Sequence, residues 1–243
     1  MVALLRVIAV IIFAVFMFVF GCGYSLLTPR NPKLVYIIGG KFCKMASIFG
    51  FKLELRFPED AYERGQNLYV ANHQNNWDLF TVSAAVTPKV VTVGKKSLVW
   101  IPLFGQLYWI TGNILIDRFN RSKAKGTIDQ VVDSMKSSDV SVWMFPEGTR
   151  SRGRGLLPFK TGAFHAAIGA GVPIIPIVCS STQGKIKFNR WNNGHVIVEM
   201  LPPIKTEGYA KENTRELANL VREQMKAKLE DLDAEVDRLN TKK

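Results

Sequence analysis

LYVANHQNNWD (68–78) is the stretch on which the fold turns. Its first four residues are apolar, aromatic or β-branched, with Asn72 closing the run, and they predict a short buried strand. His73 follows at the strand's C-terminal end. Gln74, Asn75 and Asn76 suit a tight turn. Asp78 comes next and admits two readings. It can cap a helix over 78–86, which Pro88 would close. It can also accept from one ring nitrogen of His73, leaving the other free to act as a base.

Outward from this stretch, strand-like and helical patterns alternate. Residues 52–57, 90–94, 113–117, 140–145, 171–179 and 195–201 read as strands, and 122–137 and 160–170 as helices. The alternation predicts an α/β fold, a mainly parallel sheet flanked by helices, over residues 52–243. Sites in such sheets form at the C-terminal ends of strands. His73 and Glu147 each sit just past a strand end, so they are predicted neighbours. From 214 to 239 a charged helix carries Met225, Leu229, Leu232, Val236 and Leu239 as a stripe too short for a coiled coil, and packing on the body is its expected use. Oligomeric state is left open.

Residues 1–51 differ from the rest. VIAVIIFAVFMFVF (7–20) has neither charge nor proline, and the uncharged stretch runs on to Leu27. Its 21 residues meet the length that a bilayer core of about 30 Å requires. A cleaved signal peptide is the rival reading, weakened by the single lead-in cation Arg6 and the bulky Phe20. TPRNPK (28–33) breaks the helix. A second apolar stretch (34–51) carries Lys41 and Lys44 on one helical face, which fits a membrane interface. Together they predict an N-terminal hydrophobic two-helix membrane motif that either spans or dips into one leaflet.

The net charge is +12, and it is unevenly placed. Residues 205–243 hold nine basic and nine acidic side chains, so the whole surplus lies before them. A basic body points to anionic partners such as a lipid surface or a phosphorylated substrate. No nucleic-acid module accompanies it, so no nucleic acid is expected. Cys22, Cys43 and Cys179 have neither disulfide nor metal spacing and read as reduced small hydrophobes in a cytosol-facing protein. No metal-ligand cluster, dinucleotide fingerprint or G-x-S-x-G elbow is present, so a serine hydrolase is disfavoured and no metal is expected.

Three further strand ends carry charged clusters. FPEGTR (145–150) sets Glu147 and Arg150 around Gly148 and Thr149, and an arginine fork matches a phosphate. Arg152 and Arg154, just beyond, read as a solvated loop. GKKS (94–97) is not a P-loop, although Lys95 can still hold a phosphate. Arg118 follows the strand at 113–117. The economical ligand carries phosphate and must lose a proton. LVWIPLFGQLYWI (98–110) reads equally as core, as a wall for an acyl chain or as bilayer contact.

Four blocks in order then resemble the glycerolipid acyltransferases, most closely the short bacterial members that acylate lysophosphatidic acid. They are Asn72-His73 with Asp78, the run from Gly112 to Arg118, FPEGTRS (145–151) and VPIIPI (172–177). The resemblance covers nearly the whole chain. It implies that His73 is the general base toward the sn-2 hydroxyl, with Asp78 holding its imidazole. It implies that Arg150 and Lys95 bind the acceptor's phosphate with Arg118 assisting, and that Glu147, Gly148 and Thr149 shape the acceptor site. Val172, Pro173 and Ile174 would support the acyl-donor side. The donor would be an acyl thioester of coenzyme A or acyl carrier protein, with no bound cofactor, in direct transfer without a covalent enzyme intermediate. The implied place is the cytoplasmic face of the bacterial inner membrane. Acylation of glycerol-3-phosphate or another lysolipid, and a non-catalytic basic lipid-binding protein, are the alternatives.

Overall fold

A computed structural model describes residues 1–116 and 121–241. Seven strands form one sheet: β1 (Phe51–Arg56), β2 (Leu68–Ala71), β3 (Val90–Lys95), β4 (Ile114–Ile116), β5 (Ser141–Met144), β6 (Ile174–Cys179) and β7 (Gly194–Met200). Their order is β1-β7-β6-β2-β5-β3-β4. All neighbours are parallel except β6 and β7, so β1 and β7 run opposite to the other five. The sheet is thus mainly parallel, as expected.

The central strands explain their own composition. Leu68 and Val70 of β2 face one apolar core, while Tyr69 and Ala71 face another. β6 does the same with Ile174 and Val178 on one side and Ile175, Ile177 and Cys179 on the other. A strand covered on both faces reads as a continuous apolar run. Helices α4 (Arg121–Ser137), α5 (Gly162–Ala170) and α6 (Thr214–Thr241) cover the first face. On α6 the buried stripe begins earlier than the sequence pattern implied, at Leu217 and Val221. It packs on β6 and β7 of its own chain.

The second face is covered by α2 (Lys33–Lys44), by residues 45–50 and by the segment after β2. Here the structure corrects two expectations. The second apolar stretch is helical only to Lys44; it then wraps through Phe49 and Gly50, and Phe51 already belongs to β1. The helix expected over 78–86 is instead two 3₁₀ segments, Asn76–Phe80 and Val82–Ala85, separated at Thr81. Polar side chains account for the break. The Thr81 hydroxyl donates to the Trp77 carbonyl at 3.2 Å and the Ser83 hydroxyl to the Leu79 carbonyl at 2.6 Å. Such local bonds compete with a regular helix.

Helix α1 (Val2–Leu27) is about 39 Å long at 1.5 Å per residue. It packs against α2 and against α3 (Phe104–Ile110), a helix within the aromatic run that the sequence left unassigned. Only a narrow stripe of α1 is buried: Val2, Arg6, Met17, Gly21 and Ser25. Gly21 lets the two helices approach closely there, because a Cβ would crowd the Leu107 side chain of α3. Val10 and Phe13 are partly buried against the core, while an apolar face including Leu5, Ile8, Ile12, Phe16 and Val19 is exposed.

Candidate active site

The site is built at the C-terminal ends of β2, β5 and β6. Beyond β2, Asn72 anchors the turn. Its side-chain amide donates to the Cys179 carbonyl and its carbonyl oxygen accepts from the Cys179 N–H, both at 2.9 Å. Gln74 bonds to the Cys179 and Ser180 carbonyls and accepts from the Thr182 N–H. Two buried amides therefore weld the turn to the end of β6.

Asp78 is buried and reaches back to His73. Its Oδ2 lies 2.6 Å from His73 Nδ1 and also accepts from the main-chain N–H groups of Gln74 at 2.8 Å and Asn75 at 3.2 Å. The cap of the following 3₁₀ segment is Asn75, whose side chain accepts from the Trp77 N–H. Asp78 is therefore not the cap of a helix over 78–86: it lies inside the 3₁₀ segment, and its Oδ2 accepts from the N–H groups before it, ordering the turn and orienting the imidazole as the second reading expected. The His73 ring stacks on Phe145, with centroids 4.1 Å apart. It is 18% exposed, and its Nε2 has no hydrogen-bond partner among the described residues.

Glu147 links the two loops. Its Oε1 accepts from the His73 N–H at 2.6 Å and its Oε2 from the Leu157 N–H at 2.9 Å. The expected His73–Glu147 proximity is therefore real, but it runs through the main chain. Glu147 is only 3% exposed. Burial pushes its carboxyl above the ordinary value of 4.5, outweighing the two N–H donors that pull it down. The Ser151 and Arg152 N–H groups donate to the His73 and Gln74 carbonyls, closing the contact between the loops.

Next to this pair stand cations. Thr149 and Arg150 are exposed, and the Arg150 guanidinium has no partner among the described residues. Lys95 ends β3, the strand beside β5, and is half-buried. An oriented histidine with one free nitrogen, set beside exposed arginine, can deprotonate a hydroxyl on a phosphorylated molecule. Covalent chemistry through the two buried cysteines is disfavoured. Burial raises the Cys179 thiol and pushes Cys43 up to about 12, so neither forms a ready thiolate.

A family model described as Acyltransferase matches residues 52–180. The 1-acyl-sn-glycerol-3-phosphate acyltransferase of Escherichia coli is 58% identical over 97% of this chain and 96% of its own length. That of Haemophilus influenzae is 51% identical over 99% and 100%. The chain belongs to the 1-acyl-sn-glycerol-3-phosphate acyltransferase family. The crystal structure of the 1-acyl-sn-glycerophosphate (LPA) acyltransferase PlsC from Thermotoga maritima superposes with a TM-score of 0.76 at 25% identity, covering 96% of this chain and 95% of that one.

Within this acyltransferase the other expected residues fall in different places. Gly148 lies in the site with φ +69°, a left-handed conformation that glycine accepts without strain. Val172, Pro173 and Ile174 are not brought to the site. They lie at the start of β6, roughly 20 Å from its catalytic end at 3.3 Å per residue. There they hold the sheet: the Pro173 carbonyl accepts from Leu68, and Ile174 exchanges bonds with Ile204. Arg118 lies outside the described residues. Volume does not mark the site. A groove of about 1100 Å³ between α2 and β1 has no catalytic residue in its wall, whereas a cleft of about 360 Å³ touches Asn72, Gln74 and Glu147.

Sequence reasoning missed Lys160. A Cβ placed on Gly148 would lie 2.9 Å from its Nζ, so the ammonium lies over the centre of the FPEGTR turn. Its main-chain N–H donates to the Pro146 carbonyl at 2.9 Å, which fixes it there. The available signal was a cation ten residues past Arg150, immediately before a helix, but spacing alone could not fold it back.

Proposed function

We propose that this acyltransferase moves a fatty acyl group from an acyl thioester to the sn-2 hydroxyl of 1-acyl-glycerol-3-phosphate, giving phosphatidic acid. The observation that carries the reading is the 2.6 Å His73–Asp78 contact, which leaves Nε2 without a partner among the described residues. Nε2 takes the hydroxyl proton as the alkoxide oxygen attacks the thioester carbonyl. Asp78 stabilises the imidazolium formed. The tetrahedral intermediate collapses, the C–S bond breaks, and the leaving thiolate takes the proton back from His73. Arg150, Lys95 and Lys160 hold the acceptor's phosphate, and Glu147 positions the His73 main chain. Coenzyme A or acyl carrier protein presents the donor.

The N-terminal helices set where this happens. The 26-residue α1 is long and apolar enough to cross a bilayer, with 11% of its most apolar window buried. Arg6 near one end and Gly21 near the other both contact the body, so α1 lies along it rather than projecting from it. We therefore read α1 and α2 as seated in one leaflet, with exposed Trp100, Trp109 and Trp191 at the interface. We place it at the cytoplasmic face of the bacterial inner membrane, and the exposed apolar surface of α1 supports the membrane association in that reading.

Replacing His73 tests the chemistry. His73→Ala should lower kcat by about 10²–10⁴-fold, the contribution of general-base catalysis, while the protein stays folded and vesicle-bound. Turnover within about threefold of wild type would remove His73 from the mechanism.

A further inference from the structure

Arg6 stands in α1 among residues suited to hydrocarbon, yet it is 4% exposed. Among the described residues no carboxylate pairs with it. Its guanidinium donates instead to five main-chain carbonyls: Ile48 at 2.8 Å, Lys187 at 3.3 Å, Phe188 at 2.7 Å, Arg190 at 2.8 Å and Trp191 at 3.4 Å. The forked, always-charged arginine head suits such a ring of carbonyl oxygens. Asn193 tightens the same knot. Its side-chain amide donates to the Phe49, Lys187 and Arg190 carbonyls, and its N–H donates to the Gly50 carbonyl at 2.6 Å. Gly50, with φ +73°, admits the loop, since a Cβ there would lie 1.8 Å from the Trp191 carbonyl.

The knot bears on the catalytic turn. Phe49 and Phe188, whose carbonyls it holds, place their rings 4.9 and 5.4 Å from the ring of Trp77. Trp77 immediately precedes Asp78, and its N–H is the one that Asn75 caps. A contiguous path therefore runs from α1 through Arg6, loop 187–191 and two aromatic rings to the carboxylate that orients His73.

We infer that Arg6 is a positioning residue for the catalytic pair: it fixes loop 187–191 to the membrane helix, and Phe49 and Phe188 carry that constraint to Trp77 and Asp78. The inference rests on the acyl-transfer reading above. Misplacement of a catalytic group by about 1 Å costs up to about a hundredfold in rate.

The test compares wild type, Arg6→Ala, Phe188→Ala and the double variant on vesicles of phosphatidylethanolamine and phosphatidylglycerol. It follows acyl transfer to lysophosphatidic acid, vesicle-bound fraction and melting temperature. Each single variant should lower kcat roughly tenfold or more, leaving KM for lysophosphatidic acid within about twofold and the bound fraction unchanged. The double variant should be no slower than the worse single one, because both cut one path. Arg6→Lys should recover part of the rate, since an ammonium reaches fewer carbonyls. If Arg6→Ala fails to fold, Phe188→Ala must still show the kcat loss. Bound, folded variants with wild-type kcat, or penalties that multiply, would overturn the inference. Should His73→Ala stay active, the acyl-transfer reading itself fails; a dead His73→Ala beside a normal Arg6→Ala sinks this inference alone.

Discussion

The residue scale turns on what each polar atom at the site touches. Asp78 was legible from its spacing to His73, because a strand end and a tight turn bring residues five apart into contact. Glu147 was found but its contacts were not legible: both oxygens take main-chain N–H groups that the fold alone supplies. Its raised carboxyl carries a pH signature. Folded Glu147 holds its proton where the unfolded chain has released it, so its contribution is present below 4.5 and lost as pH rises through the folded value. Glu147→Gln lacks that loss, so wild-type stability should fall relative to the variant as pH rises from 4.5. Unfolding midpoints in detergent across pH check this, and parallel curves would contradict it. Lys160 escaped the sequence altogether. With its Nζ above Gly148, Lys160→Ala should raise KM for lysophosphatidic acid about tenfold with kcat little changed, the loss of one charge-assisted bond. Steady-state kinetics with varied acceptor decide it, and a kcat effect at constant KM would assign Lys160 elsewhere.

At the scale of elements, the strands were read well because burial on both faces leaves a continuous apolar run. The segment after β2 was misread as a helix because apolar spacing over 78–86 is helical, while the hydroxyls of Thr81 and Ser83 turn it into two 3₁₀ pieces. α3 was hidden in an aromatic run whose density masked any period. The stripe on α1 was also hard to read, since its apolar members Val2 and Met17 have equally apolar neighbours and only Arg6, Gly21 and Ser25 depart from them. Gly21→Ile would push into Leu107 and should destabilise the protein by about 1–3 kcal/mol, the usual range for overpacking. For a chain of this size that is about 2–12 °C in melting temperature. An unchanged melt in detergent would mean that α1 does not pack on α3.

For the whole molecule, the order of the strands was not legible. β6 and β7 pair antiparallel and β1 joins the far edge, and such long-range neighbours leave no local pattern. What the motif order did convey is that the His73–Asp78 pair and the FPEGTR loop meet at one sheet end, and the matching family is an acyltransferase. Arg6 illustrates the opposite limit. In the sequence Arg6 is only a single cation leading into an apolar run, whereas the fold uses it to hold α1 to loop 187–191. The same contacts join α1, the sheet and the turn that carries His73 and Asp78. The central claim is that His73 serves acyl transfer to lysophosphatidic acid. It is tested most directly by giving the purified protein a labelled acyl thioester with lysophosphatidic acid or glycerol-3-phosphate and identifying the products. The account predicts labelled phosphatidic acid from lysophosphatidic acid, formed about 10²–10⁴-fold more slowly by the His73→Ala protein. Acylation of glycerol-3-phosphate alone would contradict it.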